Sequence, residues 1–455
     1  MRAEGYKAGE NVQKGEITAF LSLIFLLILS FLGAIIESAS IQVLKNHKRA
    51  DTSLALESIF AEYQRELLEE YDIFALDGSY GEGKSDENKI IKRLEYYGAQ
   101  KHVNQIQHSE LLTDHQGTPF YRQAVKYMKS KIGIMEEKEE HSYWEEQQES
   151  GTKFEKEEEE VEENLDSMLG EAQESLPSAN NPMESVTDIQ KSGLLKIIVE
   201  NPEQLSKKSI KKEELASMRK LNKGKGTFVQ EETKTGIAEP LFFEQYLLEH
   251  FGDVTEGKEE RVLDYELEYL LGGHTSDQEN LEEVVKKILP IRLGVNYAYL
   301  LTDEEKKAEA EVLALSLCTL LTVPGITEIV KHAILLAWAY GEGIVDLQTL
   351  VAGEKVPVVK TKENWSLQLS ALLEIKEQGV PKRNQDNQEG MGYRDYLKGL
   401  LILERQETLS MRALDLIEKN LHLRADQCIM RLEIESVCTL RRGIQYEFST
   451  YFGYQ

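Results

Sequence analysis

The chain has 455 residues, with 80 acidic against 53 basic side chains and a formal net charge of -27, so it repels a phosphate backbone and lacks the electrostatic term on which nucleic-acid affinity mostly rests. Its length suits two to four domains with cores of their own, which excludes a small disulfide scaffold. A hydrophobic share of 41% with only 9 prolines excludes both a disordered chain and a polytopic membrane protein.

Residues 1–16 form a polar tail. From Ile17 to Ile36 there are 20 residues without a charge, 16 of them Ala, Ile, Leu or Phe. At about 1.5 Å per residue that run crosses a ~30 Å hydrocarbon layer, so 17–36 is predicted to be one transmembrane helix. A cleaved signal peptide is the rival reading, with Ser38-Ala39-Ser40 as its small residues, but signal cores run to about 7–15 residues. Arg2, Lys7 and Lys14 before the span balance Lys45, Lys48 and Arg49 after it, so charge alone does not orient it.

Leu56, Ile59, Phe60, Tyr63, Leu67, Tyr71 and Phe74 recur at steps of three and four, one apolar helix face. No Pro or Gly lies between Ala34 and Asp77, which predicts a single helix from about Ile17 to about Tyr71, the alternative being a break near His47 to Asp51. Residues 37–130 are read as this amphipathic extension and the first part of an outer domain.

Residues 131–180 hold 17 acidic and 4 basic side chains. Like charges at i,i+4 destabilise a helix, and no D-x-D-x-D-G calcium loop is present. Lys207, Lys208, Lys211, Lys212, Arg219, Lys220, Lys223 and Lys225 follow. The whole of 131–226 is therefore expected to be a charged, partly disordered insertion, its basic part a solvated linker.

Residues 227–455 read as an α-rich outer domain. Ser276 with Glu279 and Thr302 with Glu305 fit capping boxes, and Leu281, Val284, Val285, Ile288 and Leu289 mark a core stripe. Val312 to Thr327 is uncharged but interrupted by Pro324-Gly325, which predicts a buried helix and turn. Period two then takes over at Met430, Leu432 and Ile434 and again from Ile444 to Tyr454, with Gly443 available for the turn, so a C-terminal β-hairpin or sheet completes a mainly α, α+β fold.

Gly78-Ser79-Tyr80-Gly81-Glu82-Gly83-Lys84-Ser85 satisfies GxxxxGK[ST], the phosphate-cradling loop of NTPases. Glu82 sits where phosphate would, and no βαβ series follows, which favours an exposed Gly-rich connection. His102, His108, Asp114 and His115 match no metal spacing, and Cys318, Cys428 and Cys438 form no CxxC. No catalytic, cofactor-binding or metal-binding residue is nominated, and neither nucleic acid nor a small-molecule substrate is expected.

Lys14-Gly15-Glu16-Ile17-Thr18-Ala19-Phe20 and the apolar helix after it resemble the start of pilin-like proteins of the TadE and TadG type. The resemblance implies prepilin-type processing between Gly15 and Glu16, although Phe20 stands where those families carry a Glu. Further stretches, Glu70 to Asp77, Tyr265 to Gly273, Trp338 to Glu342 and Tyr393 to Leu397, resemble an uncharacterised Gram-positive family of single-span proteins associated with tight-adherence (Tad) pilus or secretion genes. It implies a cytoplasmic N-terminus, an extracellular body and other pilus or secretion components as partners. Within the span, Ser30 and Gly33 are small enough for close helix packing, and Glu37 at its boundary either meets a partner or faces water. The expected function is a non-enzymatic, membrane-anchored structural or assembly component. An anchored binding module acting through the charged segment is the alternative, and an NTPase using Lys84 is a remote one.

Overall fold

A computed structural model describes residues 9–84, 86–100, 102–132, 181–199, 201–228, 239–319, 325–381 and 390–454, with isolated positions between 146 and 176. Side chains are described from residue 17 onward, so the predicted processing pair Gly15 and Glu16 lies outside the described side chains, as does most of the acidic run.

Helix α1 (Gly9–Phe60) has 52 residues and runs unbroken through His47 to Asp51. At helical rise it is roughly 78 Å long. It stops eleven residues before the predicted end at Tyr71. The chain turns at 61–64, where the Gln64 amide donates to the Ala75 carbonyl, and re-enters a helix as α2 (Arg65–Tyr71). The apolar period carries across this turn because the two helices fill different cores. Leu56, Ile59 and Phe60 pack under a sheet with Leu432 and Ile434, whereas Leu67 and Tyr71 enter the large helical core with Phe120 and Tyr246.

The sheet is antiparallel and has four strands: β1 (Leu76–Asp77), β2 (His102–Leu111), β3 (Cys428–Thr439) and β4 (Gln445–Gly453). Central β3 pairs with β2 along one side and with β1 and β4 along the other, aligning Ile106 with Ile434 and Cys438 with Tyr446. The predicted hairpin is thus present, its turn carrying Arg442 and Gly443 at φ 61° and 75°. It belongs to a larger sheet whose other strands come from the first quarter of the chain. On β3 the buried Leu432, Ile434, Ser436 and Cys438 alternate with the more exposed Arg431, Glu433, Glu435 and Val437, so one face meets α1 and the other is wet.

The remaining helices build the body: α3 (Glu87–Tyr96), α4 (Asp114–Ile132), α5 (Pro182–Ser192), α6 (Leu194–Ile198), α7 (Glu239–His250), α8 (Glu266–Gly272), α9 (Asp277–Leu300), α10 (Glu304–Cys318), α11 (Thr327–Val351), α12 (Leu369–Gln378), α13 (Tyr393–Leu403) and α14 (Gln406–Leu421). Of these, α11 is buried nearly all round by the other helices, where an apolar helix is stable. The stripe on α9 is buried as predicted, and Ser276 caps it by accepting from the Glu279 amide.

Three expectations are corrected. Asp303, not Thr302, caps α10, because its carboxylate reaches both the Glu305 and Lys306 amides. Val312 and Leu315 on α10 are exposed, since that helix buries its small face, Ala310 and Ala314, with Leu317. Residues 131–132 close α4, and residues 181–199 and 201–228 are folded, so these parts of the expected insertion 131–226 are ordered, while most of the rest of it lies outside the described residues. Helices α5 and α6 bury Val186, Ile189, Leu195 and Ile198. The basic stretch after them is a strap rather than a solvated linker, with Ile210, Leu215 and Ala216 buried, the Arg219 guanidinium bidentate on Glu418, and Lys208 on Asp264.

Candidate functional site

The largest departure from globular packing is the first half of α1. Fourteen large apolar side chains between Ile17 and Ile36 are exposed, from 36% at Ile24 to 67% at Leu27. At about 1.5–3 kcal/mol for each such side chain kept from its apolar environment, the sum exceeds the 5–15 kcal/mol that holds a typical domain together. Helix α1 is long and apolar enough to cross a membrane. Helix α11 passes the same test of length and composition, but it is buried inside the body.

Past Ile36 the same helix becomes one wall of the body. Ile41 and Leu44 pack against Cys438, Leu440 and Phe448, and the Lys45 ammonium lies 5.1 Å from the Tyr446 ring centre. The β3–β4 hairpin runs along α1 toward its apolar half, so the turn at residues 440–443 arrives at the boundary residue Glu37. There the Arg442 guanidinium meets the Glu37 carboxylate at 2.5 Å. An open cleft of about 710 Å³ between helix and turn is lined by Ser30, Gly33, Glu37, Ser40, Arg441 and Arg442. The three residues singled out on the span are therefore brought together. Glu37 has a partner within its own chain, and a Cβ placed on Gly33 would meet nothing within 4 Å. Arg441 and Arg442 were missed by the sequence reading. Two arginines at a hairpin turn were visible, but not that the turn reaches the span.

The GKS loop does not have the geometry of a phosphate cradle. The amides that would face phosphate are turned on Asp77 instead: its Oδ1 accepts from the Ser79 amide and hydroxyl, and its Oδ2 from the Gly81 amide. Glu82 pairs with Lys89 at 2.6 Å, while Asp86 caps the following helix by accepting from Asn88. Strand β1 is two residues long and antiparallel to β3, not a parallel strand feeding a P-loop.

His102 and His108 sit on β2, His102 against Thr52 and His108 on Glu433, while the Asp114 carboxylate accepts from the Leu111 and Gly224 amides. These side chains do not converge. Asp72, Glu249 and His250 do, with ligand atoms within 4.8 Å of one another. Glu249 is already held by Lys131 at 2.5 Å and by the Tyr127 hydroxyl, and burial, helped by Lys258, pushes His250 down to about 3, so the trio is balanced by the protein's own cations. Cys428 and Cys438 lie near opposite ends of β3 and all three cysteines are free, Cys428 with its thiol pushed upward by burial.

No curated protein and no solved structure matches the chain. Residues 172–440 match a family defined by sequence alone, a span that takes in α5 to α14 and β3 and leaves α1 and β4 outside. Since the match covers more than half of its length, the chain belongs to the family of unknown function DUF5702.

Proposed function

We propose that the protein is a single-pass, membrane-anchored structural or assembly component, non-enzymatic, of a Tad-type pilus or secretion apparatus, with the body outside the cell. The observation that carries the anchor is the bare apolar half of a helix whose other half is built into the fold. Cleavage near Ser38 to Ser40 would cut α1 just ahead of Ile41 and Leu44, which close the space under Leu440 and Phe448, so a retained span fits the packing better than a signal sequence. The pilus assignment rests on the pilin-like stretch around Gly15 and Glu16. The binding-module alternative loses support because Lys208, Arg219 and Lys225 are engaged within the body on Asp264, Glu418 and Glu87.

The test is extraction and capture from native membranes. The expected result is full-length protein that resists alkaline carbonate and co-purifies in mild detergent with Tad platform proteins. Release by carbonate would remove the anchor, and a lone monomer would remove the assembly role. N-terminal sequencing of the extracted protein reports on processing, with a start at Glu16 expected for a prepilin-peptidase substrate.

A further inference from the structure

We infer that the β3–β4 turn is a phospholipid contact: Arg441, beside an Arg442 held by Glu37, engages the phosphate of an anionic headgroup at the foot of the span. The inference deepens the anchored reading and rests on it. Glu37 is the first residue past the apolar run, so whatever is bonded to it stands at the level where hydrocarbon gives way to headgroups. Arg442 is bonded to it.

Three features make the turn a contact rather than a bystander. The first is rigidity: Leu440 is buried against α1, its amide donates to the Ile444 carbonyl at 2.8 Å, and the Gly443 amide donates back to the Leu440 carbonyl, so the tip cannot swing clear of the helix. The second is charge. Arg441 and Arg442 line the cleft with a single acid, Glu37, on a chain whose net charge is -27, so the local sign is opposite to that of the whole. Arg441 is exposed and has no ion pair among the described residues. The third is shape. The cleft between tip and helix opens beside Ser30 and Gly33, where one small side chain and none leave room for the acyl chains below a headgroup at Glu37. Glu37 holds one arginine in register while the other is left for phosphate, and the body is thereby fixed in height and rotation at the membrane surface.

The experiment is hydrogen exchange on the full-length protein in two kinds of vesicle, pure phosphatidylcholine and mixed phosphatidylcholine–phosphatidylglycerol, with flotation of each sample as the control for anchoring. A basic residue near an anionic surface gains about 1 kcal/mol, a factor of about five, so the Arg441 and Arg442 amides are expected to exchange about fivefold more slowly in the mixed vesicles. Arg441→Gln, which leaves the Glu37–Arg442 pair intact, should float equally well, keep the wild-type circular dichroism and lose most of the slowing. Equal exchange in both vesicles, with normal flotation, overturns the lipid contact and leaves the anchor standing. Failure to float in either vesicle overturns the anchor and the contact with it. Slowing that survives in both Arg441→Gln and the double Arg441→Gln, Arg442→Gln variant overturns the assignment to these side chains.

Discussion

The Arg292 guanidinium donates to Asp346 Oδ2 through Nε at 3.0 Å and Nη2 at 2.8 Å, with both side chains almost wholly withdrawn from water. The pair is half of a buried quartet: the Lys360 ammonium donates to Asp346 Oδ1 at 2.8 Å and to Glu342 Oε1, and Glu342 in turn accepts the Ser366 and Leu367 amides. Two cations and two anions cancel where none could be buried alone. Burial opposes the Arg292 charge, yet Asp346 and Tyr396 more than offset it and hold its pKa above the ordinary value.

Lys360→Met strips one cation from this quartet and leaves a net negative charge in the core. Breaking a buried pair from one side costs about 3–5 kcal/mol. Urea unfolding of the detergent-solubilised full chain should show a loss of that size. The double variant Lys360→Met, Glu342→Gln restores neutrality and keeps an acceptor for the two amides, so it should be the more stable of the two. A single variant that loses less than about 1 kcal/mol would mean water reaches the quartet and screens it.

Glu268 sets a pH dependence. Its carboxyl is buried beside Asp253, and burial first and that neighbour second push it up to about 8, although the Val254 amide and the Tyr393 hydroxyl both donate to it. A carboxyl whose pKa is higher folded than unfolded takes up a proton on folding, so stability falls as pH rises from about 4.5, its ordinary value, through about 8. Glu268→Gln, neutral at every pH, should flatten that slope. Thermal melts from pH 5 to pH 9 check it: the wild type should lose several degrees more than the variant, a steeper fall in the variant sinking the idea.

Much of this architecture was legible and some was not, for physical reasons that differ by element. The apolar run of α1 announces itself by 20 uncharged residues in a row, and the stripe on α9 and the alternation on β3 because each buries apolar residues at its own period. Strand β2 inverts that rule: it buries His102 and Asn104 and leaves Val103 74% exposed. Asn104 is inside because its Oδ1 accepts from the Ser436 hydroxyl and its Nδ2 donates to the Ala99 carbonyl, partners supplied by other segments. The end of α1 was hidden by an apolar period that continued across the turn into a second core. At the candidate site, Glu37 and Arg442 come from opposite ends of the chain, so their pairing is a property of the sheet's placement and not of any local pattern.

Gly224 tests the strap. A Cβ there would stand 2.1 Å from the Ser109 carbonyl oxygen and 2.4 Å from Asp114 Oδ2, so the backbone of the strap lies directly on β2, where the Ser109 amide also donates to the Lys225 carbonyl. Gly224→Ala must push the strap off at a cost of about 1–3 kcal/mol. Trypsin should then cut after Lys223 and Lys225 several times faster than in the wild type. Gly257→Ala, where a Cβ would meet nothing within 4 Å, should leave the cutting rate unchanged.

Asp77 decides the fate of the GKS sequence. In a nucleotide site the loop amides would be free to receive phosphate oxygens; here the Asp77 carboxylate already fills the concavity they form, accepting from the Ser79 amide at 2.8 Å and the Gly81 amide at 3.0 Å. A second anion in that place would meet a fixed negative charge as well as Glu82. Isothermal titration of the wild type with Mg-ATP should therefore give no binding heat, and Lys84→Ala should behave identically with unchanged stability, because Lys84 is exposed. Asp77→Ala removes the acceptor for three donors and should destabilise the protein by about 1–3 kcal/mol. If the wild type bound ATP and Lys84→Ala did not, the loop would have to open far enough to expel Asp77, and the connection between β1 and α3 would be a nucleotide site after all.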